Sequence, residues 1–275
     1  MSTAIERFDE KAKHLFSRFG RTIVHRGELF RYPLYTRFLH WMVALFFILS
    51  LLTGFAIYSP HLFHWLTPLF GGGPTTRSLH PWFALGFSFF FLLQFLNWYG
   101  LMIWTRADTD FIHRIKEYAT NKDKLEPEET GFFNGGQKLY FWSIVVCTLL
   151  FLISGILIWF DQAFPRGLIA VSYVVHDIAA LIMLGGFIIH VYQSTVSEPG
   201  TFRSMINGTV TEAWAWTHHP AWYRAVTGRE PREAYEQARN RQSERNRALE
   251  DWERAQDARE QTPSPPPPRE LPKRA

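Results

Sequence analysis

Long apolar blocks alternate with charged ones along this chain. Four runs, at about 38–58, 81–104, 139–160 and 169–193, are rich in Leu, Ile, Val and Phe and nearly free of charge. About twenty apolar residues suffice for a helix to cross the hydrocarbon core of a bilayer, where a helix satisfies its own backbone. The pattern therefore predicts an all-α integral membrane four-helix bundle over 38–194. Around it lie a basic arm at 1–37, a polar segment at 195–228 and a charged tail at 229–275. The tail reads as a solvated helix or a disordered stretch and includes the Pro-rich run 263–268. Within the arm, residues 8–19 fit a short amphipathic helix on the membrane surface as well as they fit a solvated tail.

Charge orients the spans. Basic residues crowd the arm (Arg7, Lys11, Lys13, Arg18, Arg21, Arg26, Arg31, Arg37) and the second connection (Arg106, Arg114, Lys116, Lys122, Lys124, Lys138), and the tail is rich in Arg. The first and third connections hold only Arg77 and Arg166. The positive-inside bias then predicts a multi-pass membrane protein with both termini in the cytoplasm. The formal net charge of +4 flanks apolar spans in this way, so it signals membrane lipid and not nucleic acid. Cys147 is the chain's single cysteine and lies within an apolar run. That excludes a disulfide within the chain, an iron–sulfur cluster held by its cysteines, and a C-x-x-C-H haem attachment. The first thirty-odd residues are charged and lack an apolar core, so no cleavable signal is expected.

The chemistry lies in histidines placed where they are costly. His176 and His190 fall in the fourth span, and fourteen residues at about 100° each come within roughly 40° of four full turns. Both rings thus leave nearly the same helix face, roughly 21 Å apart along the axis. Ionisable side chains inside a membrane mark functional sites. His40 opens a span that starts inside, and His190 closes one that ends inside. His80 and His176 both belong to spans entering from outside. Depth therefore pairs His40 with His190 and His80 with His176. Each pair fits bis-imidazole ligation of one non-covalent b-type haem, which leaves no open axial position. Taken singly, a histidine at a membrane boundary reads equally as an interfacial residue.

Arg37 and Arg77 each precede a ligand candidate by three residues, where each could pair with a haem propionate. Gly54, fourteen residues after His40, shares that histidine's face at the other haem's level, although glycine in a span also serves plain helix packing. His61, His64, His113, His14, His25 and His218-His219 read as surface or capping residues.

The ordered set Arg37-Phe-Leu-His40-Trp41, Arg77-Ser-Leu-His80-Pro81, Asn134-Gly-Gly-Gln-Lys138, Phe141-Trp142-Ser143-Ile144, His176 and His190-Val-Tyr192 resembles the gamma subunit of respiratory formate dehydrogenase, its cytochrome b membrane anchor. The likeness continues through Gly200-Thr-Phe-Arg-Ser-Met-Ile-Asn-Gly208 and His218-His-Pro-Ala-Trp-Tyr223, covering about residues 31–225. It implies the bacterial cytoplasmic (inner) membrane and two non-covalent haems b, one on His40 and His190 and one on His80 and His176. It also implies a quinone (menaquinone or ubiquinone) site of Asn134, Gly135, Gly136 and Gln137 beside His190. The residues alone leave a second reading of that segment, a helix N-terminal turn capped by Asn134.

The partners implied are an iron–sulfur beta subunit, docked near the 59–79 loop, and a molybdenum- or tungsten-dependent catalytic alpha subunit. Electrons would pass from the beta subunit to a quinone reduced on the cytoplasmic side, and the chain alone would not be an enzyme. Two other readings stay open. One is the cytochrome b subunit of a nickel–iron hydrogenase or thiosulfate reductase; the other is a haem-free transporter or anchor whose histidines relay protons.

Overall fold

The computed structural model describes residues 27–120 and 130–260. A short strand β1 (Glu28–Phe30) leads into helix α1 (Leu34–Tyr58), followed by α2 (Pro60–Leu66), a 3-10 turn and α3 (Gly73–Trp98). The connection then forms α4 (Arg106–His113) and α5 (Ile115–Thr120), before α6 (Gly135–Trp159) and α7 (Arg166–Tyr192) complete the bundle. Among the described residues α1, α3, α6 and α7 are the helices long and apolar enough to cross a membrane. The apolar pattern starts the second span at about Pro81, with His80 at its mouth. The structure gives that place to Pro74, and Pro81 lies inside α3. His80 consequently sits about two turns into the helix and not at its mouth.

These helices turn their large apolar side chains outward. Leu181, Ile153 and Ile189 are each more than 60% exposed, the arrangement expected of surface solvated by lipid tails. Small polar residues face inward instead: Thr53, Thr148, Ser154 and Ser172 are buried. Each spends its hydroxyl proton on the carbonyl four residues earlier in its own helix. α1 packs along α3 and α6 along α7. Between the pairs runs a seam of aromatic rings, with Phe47 against Phe87 and Phe187, Phe87 stacked on Phe91, and Phe91 and Phe95 against Phe141.

The polar segments on either side of the bundle fold together. After α7 come a π turn, α8 (Thr201–Asn207), strand β2 (Thr209–Thr211), α9 (Glu212–His218) and α10 (Pro220–Thr227). β2 pairs antiparallel with β1, Leu29 opposite Val210, adding a two-stranded ribbon to the expected all-α architecture. The resulting cap closes the end of the bundle where α1 begins: Trp41 Nε1 donates to the Met205 carbonyl at 3.1 Å, and Arg37 donates to that of Ile206. Residues 8–19 and 263–268 lie outside the described residues.

At the cap's centre the Arg31 guanidinium sits among four rings, 4.4 Å from Phe132, 4.7 Å from Trp214, 4.8 Å from Trp222 and 5.3 Å from Tyr32. Cation–π attraction is strongest when such a cation is desolvated, as here. His219 departs from the surface reading, being 1% exposed, while it does stand at the cap position that ends α9 and starts α10. Its Nδ1 is 2.8 Å from the Gly131 carbonyl and its Nε2 is 3.2 Å from Arg31 Nη2. A carbonyl only accepts, so the ring proton is on Nδ1 and Nε2 accepts from the guanidinium.

Burial first, and then the Arg31 charge, hold His219 well below its ordinary 6.5. The folded cap keeps the ring neutral where the unfolded chain takes up a proton. Its contribution to stability is therefore complete above about pH 6.5 and declines as the pH falls below that value. Hydrogen exchange across 209–223 should show weaker protection at about pH 5.5 than at about pH 7.5, after correction for intrinsic rates. Equal protection at both would exclude the role.

The chain divides into two compact units near Pro231. The second contains most of α11 (Pro231–Glu260), which is almost wholly exposed. Such a helix has no core to bury. It is supported by pairs one turn apart, among them Arg232 with Glu236 at 3.3 Å and Arg254 with Asp251 at 2.8 Å.

Candidate functional site

The four membrane histidines form two pairs along α7. His40, in the second turn of α1, comes to His190 with ring centroids 6.1 Å apart. His80, in α3, comes to His176 at 6.3 Å. Two imidazoles binding one metal ion from opposite sides have centroids roughly 6 Å apart, since each metal–nitrogen bond is about 2 Å. Both pairs fit that spacing.

The surroundings of the two pairs differ. Thr53 Oγ1 is 2.9 Å from His80 Nδ1, and Ser154 Oγ is 2.9 Å from His176 Nδ1. The residue after each hydroxyl is a glycine. A Cβ on Gly54 would stand 3.3 Å from His80 Cε1, and one on Gly155 would stand 3.6 Å from His176 Cε1. His190 instead stacks on Tyr140, centroids 5.1 Å apart and planes at 15°. His40 Nδ1 is buried with no hydrogen-bond partner among the described residues, and so are both amide atoms of Gln94. α1 and α3 run antiparallel, Gly54 beside His80 and Thr36 bonded to Asn97 at 3.1 Å, which sets Gln94 level with His40. Buried polar atoms without partners call for a group that completes them. Their place beside His40 and His190 is one where a haem propionate or an ordered water would do so.

The flanking arginines are not alike. Arg37 donates to the Ile206 carbonyl while its Nε is buried without a partner among the described residues. Arg77 is exposed, one turn before His80.

At the start of α6, Asn134 Oδ1 accepts from Gln137 N at 2.9 Å and Gln137 Oε1 accepts from Asn134 N at 3.0 Å. This reciprocal capping box commits both amide oxygens and leaves both NH2 groups as donors. Gly135 has a neighbour that the sequence did not disclose: a Cβ there would meet the Asp108 carbonyl oxygen at 2.6 Å. The absent side chain thus admits the backbone of α4. The residue of α6 that touches His190 is Tyr140, one to two turns beyond Asn134.

Several participants escaped the sequence reading. Lys138 Nζ donates to Asp108 Oδ2 at 2.7 Å and to the Ile103 carbonyl at 3.0 Å. Both side chains of that ion pair are about 95% buried. Asp108 Oδ2 also accepts from Thr105 N and Oγ1, both at 2.7 Å, closing the connection against the start of α6. Thr53-Gly54 and Ser154-Gly155 left one trace, the matching stretches Leu51-Leu-Thr-Gly-Phe55 and Leu152-Ile-Ser-Gly-Ile156 in the first and third spans. Tyr140, Asp108 and Gln94 left none.

The family model for prokaryotic cytochrome b561 matches residues 31–208. The cytochrome b556(fdo) subunit of formate dehydrogenase from Escherichia coli K12 is 32% identical over 204 residues, covering 73% of this chain and 94% of that one. The nitrate-inducible cytochrome b556(Fdn) subunit from the same organism is 32% identical over 202 residues, covering 72% and 91%. A formate dehydrogenase cytochrome b556 subunit from Haemophilus influenzae is 28% identical over 200 residues, covering 72% and 83%. With four apolar helices and histidines paired inside them, this chain belongs to the prokaryotic cytochrome b561 family, as kin of the formate dehydrogenase cytochrome b subunits.

Proposed function

We propose that this chain is the two-haem cytochrome b subunit of a formate dehydrogenase, linking an outward-facing iron–sulfur partner to a quinone on the cytoplasmic side. The observation that carries the reading is the pair of imidazole pairs, 6.1 and 6.3 Å between centroids, stacked along one transmembrane helix. His40 and His190 would hold one haem b, and His80 and His176 the other. A haem with two imidazole ligands supplies one-electron carriage with no site for oxygen.

The chain's residues bind, orient and shield. Gly54 and Gly155 leave room beside the ligand rings. Tyr140 braces His190, and the Arg37 guanidinium, with Nε free to donate, is suited to a propionate near the cap. The NH2 groups of Asn134 and Gln137 are suited to a quinone carbonyl at the mouth of α6. Charge bias supports a cytoplasmic side for the cap, His40 and His190, from which a quinone would take its protons. One charge crossing inward is worth about 2.3 kcal/mol per 100 mV. The catalytic molybdenum or tungsten subunit would be a partner, since the relatives are named as subunits of formate dehydrogenases.

Purification in mild detergent tests the reading. The expected result is two protohaems per chain by pyridine haemochrome, together with iron–sulfur and molybdenum- or tungsten-containing partners. A haem-free preparation would remove the cytochrome reading, and a nickel–iron partner would replace formate dehydrogenase by hydrogenase.

A further inference from the structure

Resting on the haem reading above, the two hydrogen bonds to the His80–His176 pair carry a further assignment. Each hydroxyl has a single hydrogen. In Thr53 it is directed to the Leu49 carbonyl at 2.8 Å and the Ser50 carbonyl at 3.1 Å, and in Ser154 to the Leu150 carbonyl at 2.6 Å. Each oxygen is then left to accept, so the imidazole 2.9 Å away must donate from Nδ1. A neutral imidazole with its proton on Nδ1 has a bare Nε2, the state that binds iron. The opposite polarity would place the proton on Nε2 and block ligation.

We propose that Thr53 and Ser154 are positioning residues for the His80–His176 pair, fixing both rings in the iron-binding tautomer and holding that centre at the lower reduction potential. An acceptor on Nδ1–H makes an imidazole a stronger donor through its other nitrogen. Stronger donation favours the oxidised iron and lowers the potential. At the other pair His40 Nδ1 has no acceptor among the described residues, and His190 is braced by the Tyr140 ring face. The asymmetry makes transfer from the His80–His176 side to the His40–His190 side downhill, which is the direction the proposed function requires. The two halves of the bundle reach this arrangement alike, each with a hydroxyl–glycine pair in the helix packed against its histidine. The hydroxyl takes the ring proton and the glycine clears the ring's edge.

The test compares Thr53→Val, Ser154→Ala and Thr53→Ser in the complex purified with its partners, reading haem content and then both midpoints by redox titration. Thr53→Val and Ser154→Ala should keep two haems while the lower midpoint rises. A tenfold shift in the reduction equilibrium is the expected scale, about 59 mV for one electron. Thr53→Ser should match the unaltered protein. Loss of one haem in Thr53→Val with both kept in Thr53→Ser would support the assignment equally, because the variant that keeps the hydroxyl keeps the haem even without the methyl. Two haems with unmoved midpoints in both deletions would overturn it, as would a Thr53→Ser variant no different from Thr53→Val. Failure of the underlying haem reading shows separately, as fewer than two haems in the unaltered protein.

Discussion

Replacing His176 by alanine is expected to lower the haem content from two per chain to one and to abolish quinone reduction by the intact complex. His176 is the partner of His80, and removing it leaves a single imidazole where two stand 6.3 Å apart. The pair at His40 and His190 shares no imidazole with it, so that haem should remain. Pyridine haemochrome on the purified variant reads the stoichiometry directly. A count that stayed at two would remove His176 from the ligand set. A count of zero, with the helices still folded by circular dichroism, would mean that the two sites do not fill independently. His190→Ala supplies the mirror experiment, with the other haem lost.

The second large effect is expected at Asp108. Its carboxylate and the Lys138 ammonium are 2.7 Å apart, and both are almost fully buried. Asp108→Ala leaves the Lys138 ammonium buried at the start of α6 with the Ile103 carbonyl but without its counter-ion. Breaking such a pair costs about 3–5 kcal/mol. Loss of the two Thr105 bonds that close the α4 capping box adds to that in the same direction. Thermal unfolding in detergent should show a large fall in midpoint. The double change Asp108→Ala with Lys138→Met should recover part of it, because replacing both members of a buried pair removes the stranded charge. If the single and double variants melted together, the ion pair would not be what stabilises this end of α6. Asn134, Gly135 and Gln137 lie on the same turn, so a quinone site there should weaken in Asp108→Ala as well.

How much of this was readable without coordinates depends on the distance over which each feature is written. The spans were legible because hydrocarbon demands about twenty apolar residues in a row, a local property of composition. Their ends were less so: Pro81 reads as a helix start, yet Pro74 takes that place and the helix runs through. The meeting of His40 with His190, and of His80 with His176, was legible because charge bias gives each helix a direction and helical rise gives each residue a depth. Lateral contacts have no such signature. Thr53 and His80 are 27 positions apart, Ser154 and His176 are 22, and each meets its partner only through the rotation of two packed helices. The capping box of Asn134 and Gln137 was open to the eye as one of two readings. The close approach of Asp108 to Gly135 was not, because it depends on how the connection after α3 folds back.

The sequence by itself determined a four-helix membrane bundle and which histidines come to the same level, both of which follow from local pattern and length, while its motifs carried the resemblance to cytochrome b subunits. The tertiary structure alone decided the environment of each histidine: a hydroxyl and a glycine beside His80 and His176, a tyrosine ring on His190, an orphaned Nδ1 on His40. It also decided that Arg31 and His219, 188 positions apart, share one buried cage in the cap. Depth is set by one helix and the bilayer, whereas a ring's neighbours are set by helix pairing. In pairing, one register out of many buries the small polar residues together, and only in that register do the hydroxyls reach the imidazoles.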